Sequence, residues 1–409
     1  MDESNFINFG AGPTQLPKQG SSETITLILT NHRLLIADPS PERDSDHCIR
    51  TPCSISNMVY KVLEEIQSEM LSYENIGISI VEMSHRSTEY GELNKRAQET
   101  LRSLLNIPSN YKVLFVPGGG QGAFSAIPIN LIGKTGSADY LVTGTWSKIA
   151  AEEAKKYGNI NIAVKLDTTG SIPDPKTWKL DPNASYVFYC DNDTIDGVEF
   201  PFVPDTNNAP LVVDMCSNLL TKQIDVSKFG VIFAATQKNL GTAGIAVIII
   251  RDDLLGYAAG YCPSILNFTL LNQYNSILNT PPIFPIYVTS KIVEWVKQNG
   301  GLVTMESQCR EKSNLIYQVI DNLKDFYYTP VDKNVRSRIN IPFRIGGSDG
   351  DEELEKIFLE EAKKENMIDL KGHRLVGGIR VSLYNAITIE NVKKLVAFMI
   401  YFKDKYGNQ

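Results

Sequence analysis

A lysine and an aspartate follow two apolar segments of the chain. Lys238 comes shortly after segment 231–234, and Asp214 directly follows segment 211–213. Both segments are short and rich in β-branched residues, which is typical of strands buried in a parallel sheet. Because ligands of open α/β sheets bind at the carboxyl ends of the strands, we expect Asp214 and Lys238 to converge there. Taken singly, such a lysine is usually a solvated loop residue and such an aspartate a turn or helix cap.

A glycine-rich turn, segment 117–122 (PGGGQG), lies upstream of these two residues, between an apolar strand and a helical stretch. Glycine lets the backbone approach a ligand closely, and free N–H groups at a helix start bind anions. The pattern is neither G-x-G-x-x-G nor a P-loop, so it does not indicate a dinucleotide or ATP. A lysine, a carboxylate and a phosphate cradle together are what a pyridoxal phosphate site needs. Trp146 also follows a short strand and would either stack on a flat cofactor or be a core aromatic.

Cationic residues form a third set. His85 stands beside Arg86 and His373 beside Arg374, with Arg380 close behind, although the chain has only four histidines. Guanidinium groups match carboxylate and phosphate bidentately, so this set would suit a doubly anionic substrate. The alternative is surface salt bridges and a core histidine. The net charge of −7 argues against nucleic acid or an anionic membrane surface as partner.

The elements that must position these residues alternate between helix and strand patterns beyond residue 60. That alternation predicts an α/β fold with a mostly parallel sheet. A second α+β pattern follows the Asn299-Gly300-Gly301 segment, which divides the chain into a large domain (60–300) and a smaller C-terminal domain (301–409). Between residues 20 and 59 the alternation is lost, and we interpret this stretch as an insertion, either a loop or disordered.

The cysteines and the chain start indicate the compartment. Six cysteines without CxxC pairs predict neither a disulfide framework nor a zinc site, and the spacing of Cys48 and Cys53 to the nearby His32 and His47 fits no usual zinc pattern. The start lacks the features of a signal peptide, and no apolar run reaches the length of a membrane helix. We therefore expect a cytoplasmic protein without a metal and without membrane contact.

Nine motifs in one order carry a resemblance to a known family: SHR, PGGGQGAFSAIP, TGTWS, DTIDGVEF, VDMCSN, ATQKNLG, NTPP, KGHRLVGGIR and SLYNA. The chain resembles the phosphoserine aminotransferases, class V pyridoxal-phosphate-dependent enzymes, over almost its whole length except segment 20–59. The opening NFGAGP resembles the N-terminal arm of that family, here 1–19. The resemblance implies a fold type I transferase with a seven-stranded sheet, acting as a homodimer with shared active sites.

The resemblance also implies residue roles. Lys238 would bond covalently to pyridoxal phosphate and act in catalysis with Asp214, which would pair with the pyridine nitrogen. Asn279 and Thr280 would reach the cofactor phosphate of the neighbouring subunit. The implied cofactor-binding residues are Gly120, Gln121, Trp146, Thr194, Asp214, Gln237, Lys238, Asn279 and Thr280. The implied substrate-binding residues are His85, Arg86, His373, Arg374 and Arg380.

The implied reaction transfers the amino group of L-glutamate to 3-phosphohydroxypyruvate, giving O-phospho-L-serine and 2-oxoglutarate in L-serine biosynthesis. Both amino donor and acceptor carry two anionic groups, so one set of cations serves both half-reactions. Two alternatives remain: another fold type I enzyme with a different substrate, and a relative whose catalysis is impaired by the 20–59 insertion.

Overall fold

The structure is a computed structural model that describes residues 7–8, 60–165 and 170–407. The expected insertion at 20–59, with Cys48, Cys53 and both of its histidines, lies outside the described residues. Of the expected arm, the structure describes a single short strand, β1 (Ile7–Asn8).

A seven-stranded sheet forms the centre of the larger part of the chain. Its strands are β2 (Tyr111–Pro117), β3 (Ser137–Val142), β4 (Asn159–Lys165), β5 (Val187–Cys190), β8 (Leu211–Asp214), β9 (Val231–Ala235) and β10 (Ile245–Arg251), and β6 (Asn192–Asp193) with β7 (Val198–Glu199) forms a separate short hairpin. The order in the sheet is β2-β10-β9-β8-β5-β3-β4, and β10 alone runs antiparallel to its neighbours. This confirms the predicted mostly parallel seven-stranded sheet.

Helices cover both faces of this sheet. Successive strand side chains point to opposite faces, so Val113 and Phe115 join one core while Leu114 and Val116 join the other. Burial on both faces explains why the strands read as continuous apolar runs. The helices of this part are α1 (Tyr60–Glu69), α2 (Thr88–Leu105), α3 (Gly119–Leu131), α4 (Thr145–Ala154), α5 (Phe268–Gln273) and α6 (Ile283–Gln298).

The C-terminal part of the chain has a third core of its own. The 22-residue helix α7 (Gly301–Asn322) joins the parts, because Leu302 packs into the large core and Ile316 into the C-terminal one. The remaining elements are β11 (Tyr327–Tyr328), β12 (Asn340–Ile345), α8 (Glu352–Lys364), β13 (Met367–Ile368), β14 (Ile379–Ser382) and α9 (Ile389–Tyr406). Strand β1 pairs in parallel with β13, which attaches the start of the chain to this C-terminal part.

Two elements differ from what the sequence patterns favoured. Helical spacing in the sequence predicts a helix over residues 290–299, whereas helix α6 begins at Ile283. Pro285 lies in its first turn, where proline is tolerated because the early N–H groups lack helical partners anyway. Strand β4 was not predicted, since an edge strand with alternating polar and apolar residues lacks the continuous apolar run used to find the others.

Candidate active site

Lys238 and Asp214 both lie at the carboxyl edge of the sheet, as the sequence predicts. Strands β8 and β9 are parallel neighbours, with Asp214 opposite Phe233, and Lys238 follows β9 by three residues. Both side chains are nearly inaccessible, at 4% exposure for Asp214 and 8% for Lys238. Because an isolated buried charge is costly, their mutual attraction gives each a reason to stay ionised.

The titration of the two groups reflects this environment. Burial raises the pKa of Asp214, while hydrogen bonds from Cys216 and the charge of Lys238 act against that rise. Burial acts to lower the pKa of Lys238, but Tyr384, Cys216 and Asp214 outweigh it, and the pKa of the amine is raised. The Asp214 carboxylate is also oriented, since its Oδ1 accepts a hydrogen bond from the Cys216 N–H at 2.8 Å.

Thr194 joins Trp146 and Arg380 to the same place. The indole Nε1 of Trp146 donates to Thr194 Oγ1 at 2.9 Å, and the Nη1 of Arg380 donates to the Thr194 carbonyl at 3.1 Å. The Lys238 amine lies 5.8 Å from the centroid of the Trp146 ring, within the range of a cation–π contact. The indole therefore forms a flat wall beside the lysine, with a C-terminal arginine at its edge.

The glycine-rich turn presents the start of helix α3 at this edge. Gly118, at the N-cap, has φ 98°, and no side chain caps the helix. A Cβ on Gly122 would lie 2.8 Å from the Pro117 carbonyl, so the turn is too tight for a larger residue. A Cβ on Gly120 would approach Ala235 Cβ to 3.7 Å, which locates the turn beside the end of β9. Gln121 is exposed and Gln237 is half-buried.

Three of the predicted cations lie together on the C-terminal part. His373 and Arg374 precede β14, and Arg380 lies within it. Burial, Arg380 and Arg374 lower the pKa of His373, with Asp196 acting in the opposite direction. The Nε of Arg380 is buried and has no hydrogen-bond partner among the described residues. A buried, unpartnered guanidinium N–H facing a site is what an incoming anion would satisfy.

Four predicted residues do not join this cluster. Arg86 and His85 precede helix α2, whose first turn is capped by Ser87 accepting from the Tyr90 N–H at 3.2 Å. Asn279 donates to the Thr280 carbonyl at 3.0 Å. Within the described residues, no hydrogen bond or ion pair connects the side chains of His85, Arg86, Asn279 and Thr280 with Lys238 or Asp214. Their predicted contacts are with the substrate and with the cofactor of a neighbouring subunit, so these four roles stay predictions.

The sequence patterns did not predict a pair of aspartates that bind the backbone at Trp146. Asp193 Oδ2 accepts from the Trp146 N–H at 2.7 Å and Asp196 Oδ2 from the Thr145 N–H at 2.6 Å, so both carboxylates cap helix α4. Burial and the neighbouring Asp196 raise the pKa of Asp193 to about 7. Both acids stand in the DTIDG motif, so the signal was present, but the N–H groups that they cap lie 47 and 51 residues earlier.

Two absences concern only the described part of the chain. It contains no group of three or more His, Cys, Asp or Glu residues able to hold a metal ion. No helix in the same residues is long and apolar enough to cross a membrane.

Comparison with known proteins identifies the family. The model of the aminotransferase class-V family matches residues 54–395. The chain belongs to the aminotransferase class-V family. Among relatives, this class-V chain is 54% identical over 344 residues to the phosphoserine aminotransferase of Drosophila melanogaster, covering 84% of the chain and 94% of the relative.

Two solved structures agree with the fold. The phosphoserine aminotransferase of Bacillus circulans subsp. alkalophilus superimposes with a TM-score of 0.83 at 38% identity, covering 86% of this chain and 97% of that one. The pyridoxal-phosphate-bound phosphoserine aminotransferase of Trichomonas vaginalis gives a TM-score of 0.80 at 39% identity, with coverages of 84% and 97%. At these identities the likeness extends beyond the fold to the family.

Proposed function

We propose that this class-V chain is a phosphoserine aminotransferase. It transfers the amino group of L-glutamate to 3-phosphohydroxypyruvate, giving O-phospho-L-serine and 2-oxoglutarate, and so serves L-serine biosynthesis. One observation carries the proposal. Buried Lys238 and Asp214 lie in the same site as Arg380, whose Nε has no hydrogen-bond partner in the described residues. The relatives named as phosphoserine aminotransferases support the choice of substrates.

The described residues fit pyridoxal phosphate as cofactor. Lys238 would hold it covalently, with Gln237 beside the lysine, and Asp214 would accept a hydrogen bond from the pyridine nitrogen. Trp146 would stack on the ring while Thr194 contacts its hydroxyl. The uncapped start of α3, at Gly120 and Gln121, would receive the phosphate through backbone N–H groups. When bound, the cofactor carries the amino group between substrates and withdraws electrons from the reacting carbon.

The protein side chains supply the proton transfers. With pyridoxal phosphate in the site, the Lys238 amine would act as the base that takes the Cα proton from the substrate and later gives a proton back. The buried position of Lys238 keeps water from competing for that proton. Asp214, also buried and oriented by the Cys216 N–H, would pair its carboxylate with the cofactor.

The cations would bind the anionic ends of both substrates. The Nη1 of Arg380 donates to the Thr194 carbonyl, and its Nε, which has no partner among the described residues, would donate to the substrate. His373 and Arg374 would extend this set on the C-terminal domain, and His85 and Arg86 would complete it. The depressed pKa of His373 follows from burial and from Arg380 and Arg374, so an incoming anion would raise its affinity for a proton.

The active unit we propose is a homodimer in which Asn279 and Thr280 complete the phosphate site of the partner. Support comes from an exposed apolar segment between β10 and α6, in which Tyr261 is 69% exposed and Tyr274 56%. Exposed aromatic groups of this kind are typical of interfaces between proteins. We also propose a cytoplasmic location, which suits the free thiols of Cys190, Cys216, Cys262 and Cys309.

The domain boundary that we propose is at residue 300, between a large domain of 60–300 and a small one of 301–409, with 1–19 as the arm. Support comes from the separate C-terminal core and from the start of α7 at Gly301. Helix α7 contributes to both cores and would transmit movements of the small domain to the large one.

A kinetic comparison of substrates tests the proposed function. The full chain, loaded with pyridoxal phosphate, should transaminate 3-phosphohydroxypyruvate with glutamate far faster than it transaminates pyruvate. Lys238→Ala should abolish turnover and the visible absorption that borohydride removes from the wild type, whereas Lys148→Ala, which changes an exposed lysine on helix α4, should leave both intact. Equal use of pyruvate and phosphohydroxypyruvate would instead indicate another enzyme of the family, and a protein that binds no cofactor would contradict the proposal.

A further inference from the structure

The connection between β14 and α9, residues 383–388, is held by hydrogen bonds from a buried lysine. Lys312, on helix α7, donates through its Nζ to the carbonyls of Leu383, Tyr384 and Ile387, at 3.2, 2.9 and 2.9 Å. An ammonium group has three N–H donors, so all three are used. The Leu383 N–H also donates to the Ile339 carbonyl at 2.7 Å. The backbone around Tyr384 is thus fixed to the small domain.

The same connection is tied to the residue that follows Lys238. Asn239 Oδ1 accepts from the Asn385 N–H at 3.0 Å, and Asn239 Nδ2 donates to the Ser217 carbonyl at 2.8 Å. Asn385 Nδ2 in turn donates to the Leu220 carbonyl at 2.9 Å. These contacts join positions 146 and 165 residues apart, and they hold Tyr384 in a fixed place relative to Lys238.

The phenol of Tyr384 lies among charged groups of the site. Its ring is 3% exposed, and the Asn340 Nδ2 donates to its hydroxyl oxygen over a long 3.5 Å. The phenol interacts electrostatically with both Lys238 and Arg380. Among the groups that raise the pKa of Lys238 against the effect of burial, Tyr384 acts most strongly. The phenol thus lies within electrostatic range of the amine that the reaction uses and of the guanidinium that we assign to the substrate, on a connection that Asn239 ties to the residue next to Lys238.

We propose that Tyr384 is a positioning residue of the active site, which holds the Lys238 amine through its phenol oxygen whenever the lysine is not bonded to the cofactor. A phenol oxygen that accepts a hydrogen bond from an ammonium stabilises the protonated amine and fixes its direction. Tyr384 would therefore keep the released lysine in the site, at the place from which it moves the substrate proton. The inference rests on the proposed role of Lys238 as the cofactor lysine.

Trace acetylation of Lys238 tests the role of Tyr384 without depending on turnover. Only a neutral amine reacts with acetic anhydride, so the labelling rate of Lys238 in the cofactor-free full-length chain reports how much of the amine is unprotonated. Tyr384→Phe keeps the buried ring and removes the hydroxyl. At pH 8 we expect labelling of Lys238, measured by mass spectrometry against exposed Lys148 in the same sample, to become roughly tenfold faster.

Tyr317→Phe is the matched control, because the Tyr317 hydroxyl is another small-domain phenol and donates to the Ser337 carbonyl at 2.8 Å. It should leave the labelling of Lys238 unchanged. In the cofactor-loaded enzyme, Tyr384→Phe should lower kcat with little change in KM for phosphohydroxypyruvate, because the hydroxyl acts on the lysine. Should Tyr384→Phe not fold, Tyr384→Leu takes its place in the same labelling measurement.

The outcomes separate this inference from the proposed function. Unchanged labelling of Lys238 in Tyr384→Phe, or equal acceleration in Tyr384→Phe and Tyr317→Phe, would overturn the role of Tyr384 even if the wild type transaminates phosphohydroxypyruvate. A wild type that does not transaminate this substrate would contradict the proposed function, whatever the labelling shows.

Discussion

Thr194 illustrates at the scale of one residue how the site is assembled. Its side chain accepts from Trp146 and its carbonyl accepts from Arg380, so a single residue after β6 connects an aromatic ring with the guanidinium that we propose for substrate binding. The sequence patterns themselves pointed to Trp146 and Arg380, whereas Thr194 was predicted for the site only through the resemblance to a family. Their spacing alone, with Arg380 lying 186 positions beyond Thr194, contains no signal of the contact.

The carboxyl group of Asp193 should leave a signature in the pH dependence of stability. Its pKa, raised by burial and Asp196 to about 7, lies above the ordinary value near 4 in an unfolded chain. Between these values the folded protein holds a proton that the unfolded chain does not, so this contribution to stability falls as the pH rises. Asp193→Asn keeps an oxygen for the Trp146 N–H and removes the titration.

We therefore expect the free energy of unfolding of Asp193→Asn, taken relative to that of the wild type, to be higher at pH 8 than at pH 5 by about 2–4 kcal/mol. Urea unfolding of both proteins at the two pH values measures this difference. Asp225→Asn is a control without pH dependence in this range. Hydrogen bonds from Ser227 lower the pKa of Asp225, so this carboxyl group is ionised in both the folded and the unfolded chain at pH 5 and at pH 8, and the difference from the wild type should be the same at both. A difference between wild type and Asp193→Asn that is the same at both pH values would contradict the assignment.

At the scale of elements, the strand ends were predictable and the strand directions were not. A buried apolar run followed by a polar residue locates Asp214 and Lys238 at strand ends in the sequence alone. The apolar residues of β10 do not indicate whether the strand runs parallel or antiparallel to its neighbours. The short connection between β9 and β10 makes the pair antiparallel. The burial of Lys312 on α7 could not be predicted either, because the carbonyls that accept its hydrogen bonds lie 71 to 75 positions away in the sequence.

Helix α7 should depend on Lys312 for its attachment to the connection that carries Tyr384. Burial lowers the pKa of Lys312 to about 8, so at pH 7 the amine is charged and all three N–H groups donate. Lys312→Met keeps most of the side-chain volume but leaves three carbonyls without their donor. We expect the free energy of unfolding at pH 7 to fall by about 2–4 kcal/mol in urea denaturation.

Lys324→Met provides the comparison, since Lys324 is exposed just beyond the end of α7. It should change the free energy of unfolding by less than about 0.5 kcal/mol. If both substitutions had the same small effect, the three carbonyls would have to be satisfied in some other way, and the anchoring role of Lys312 would be wrong.

At the scale of the whole molecule, one chain holds only part of the expected site. Lys238, Asp214, Trp146, Thr194 and Arg380 meet within it, whereas Asn279 and Thr280 make no hydrogen bond to them among the described residues. Exposed apolar side chains such as Tyr261 lie on the same stretch of chain as Asn279, between β10 and α6. A homodimer that buries this stretch would bring the missing residues to the partner's site.

Mixed dimers of two inactive variants should recover activity if the sites are shared in this way. Lys238→Ala removes the covalent attachment, and the double variant Asn279→Ala with Thr280→Ala removes the contacts expected to cross the interface. In a dimer containing one chain of each kind, both defects fall in one site and the other site is intact. Random exchange of equal amounts therefore predicts about a quarter of the wild-type activity.

Mixing Lys238→Ala with Asp214→Asn is the control, because each of these two residues acts in the site of its own chain. Each site of the mixed dimer then keeps one defect, and no activity returns. If differently tagged chains form mixed dimers and the first mixture still stays inactive, Asn279 and Thr280 act in their own chain or not at all in the site.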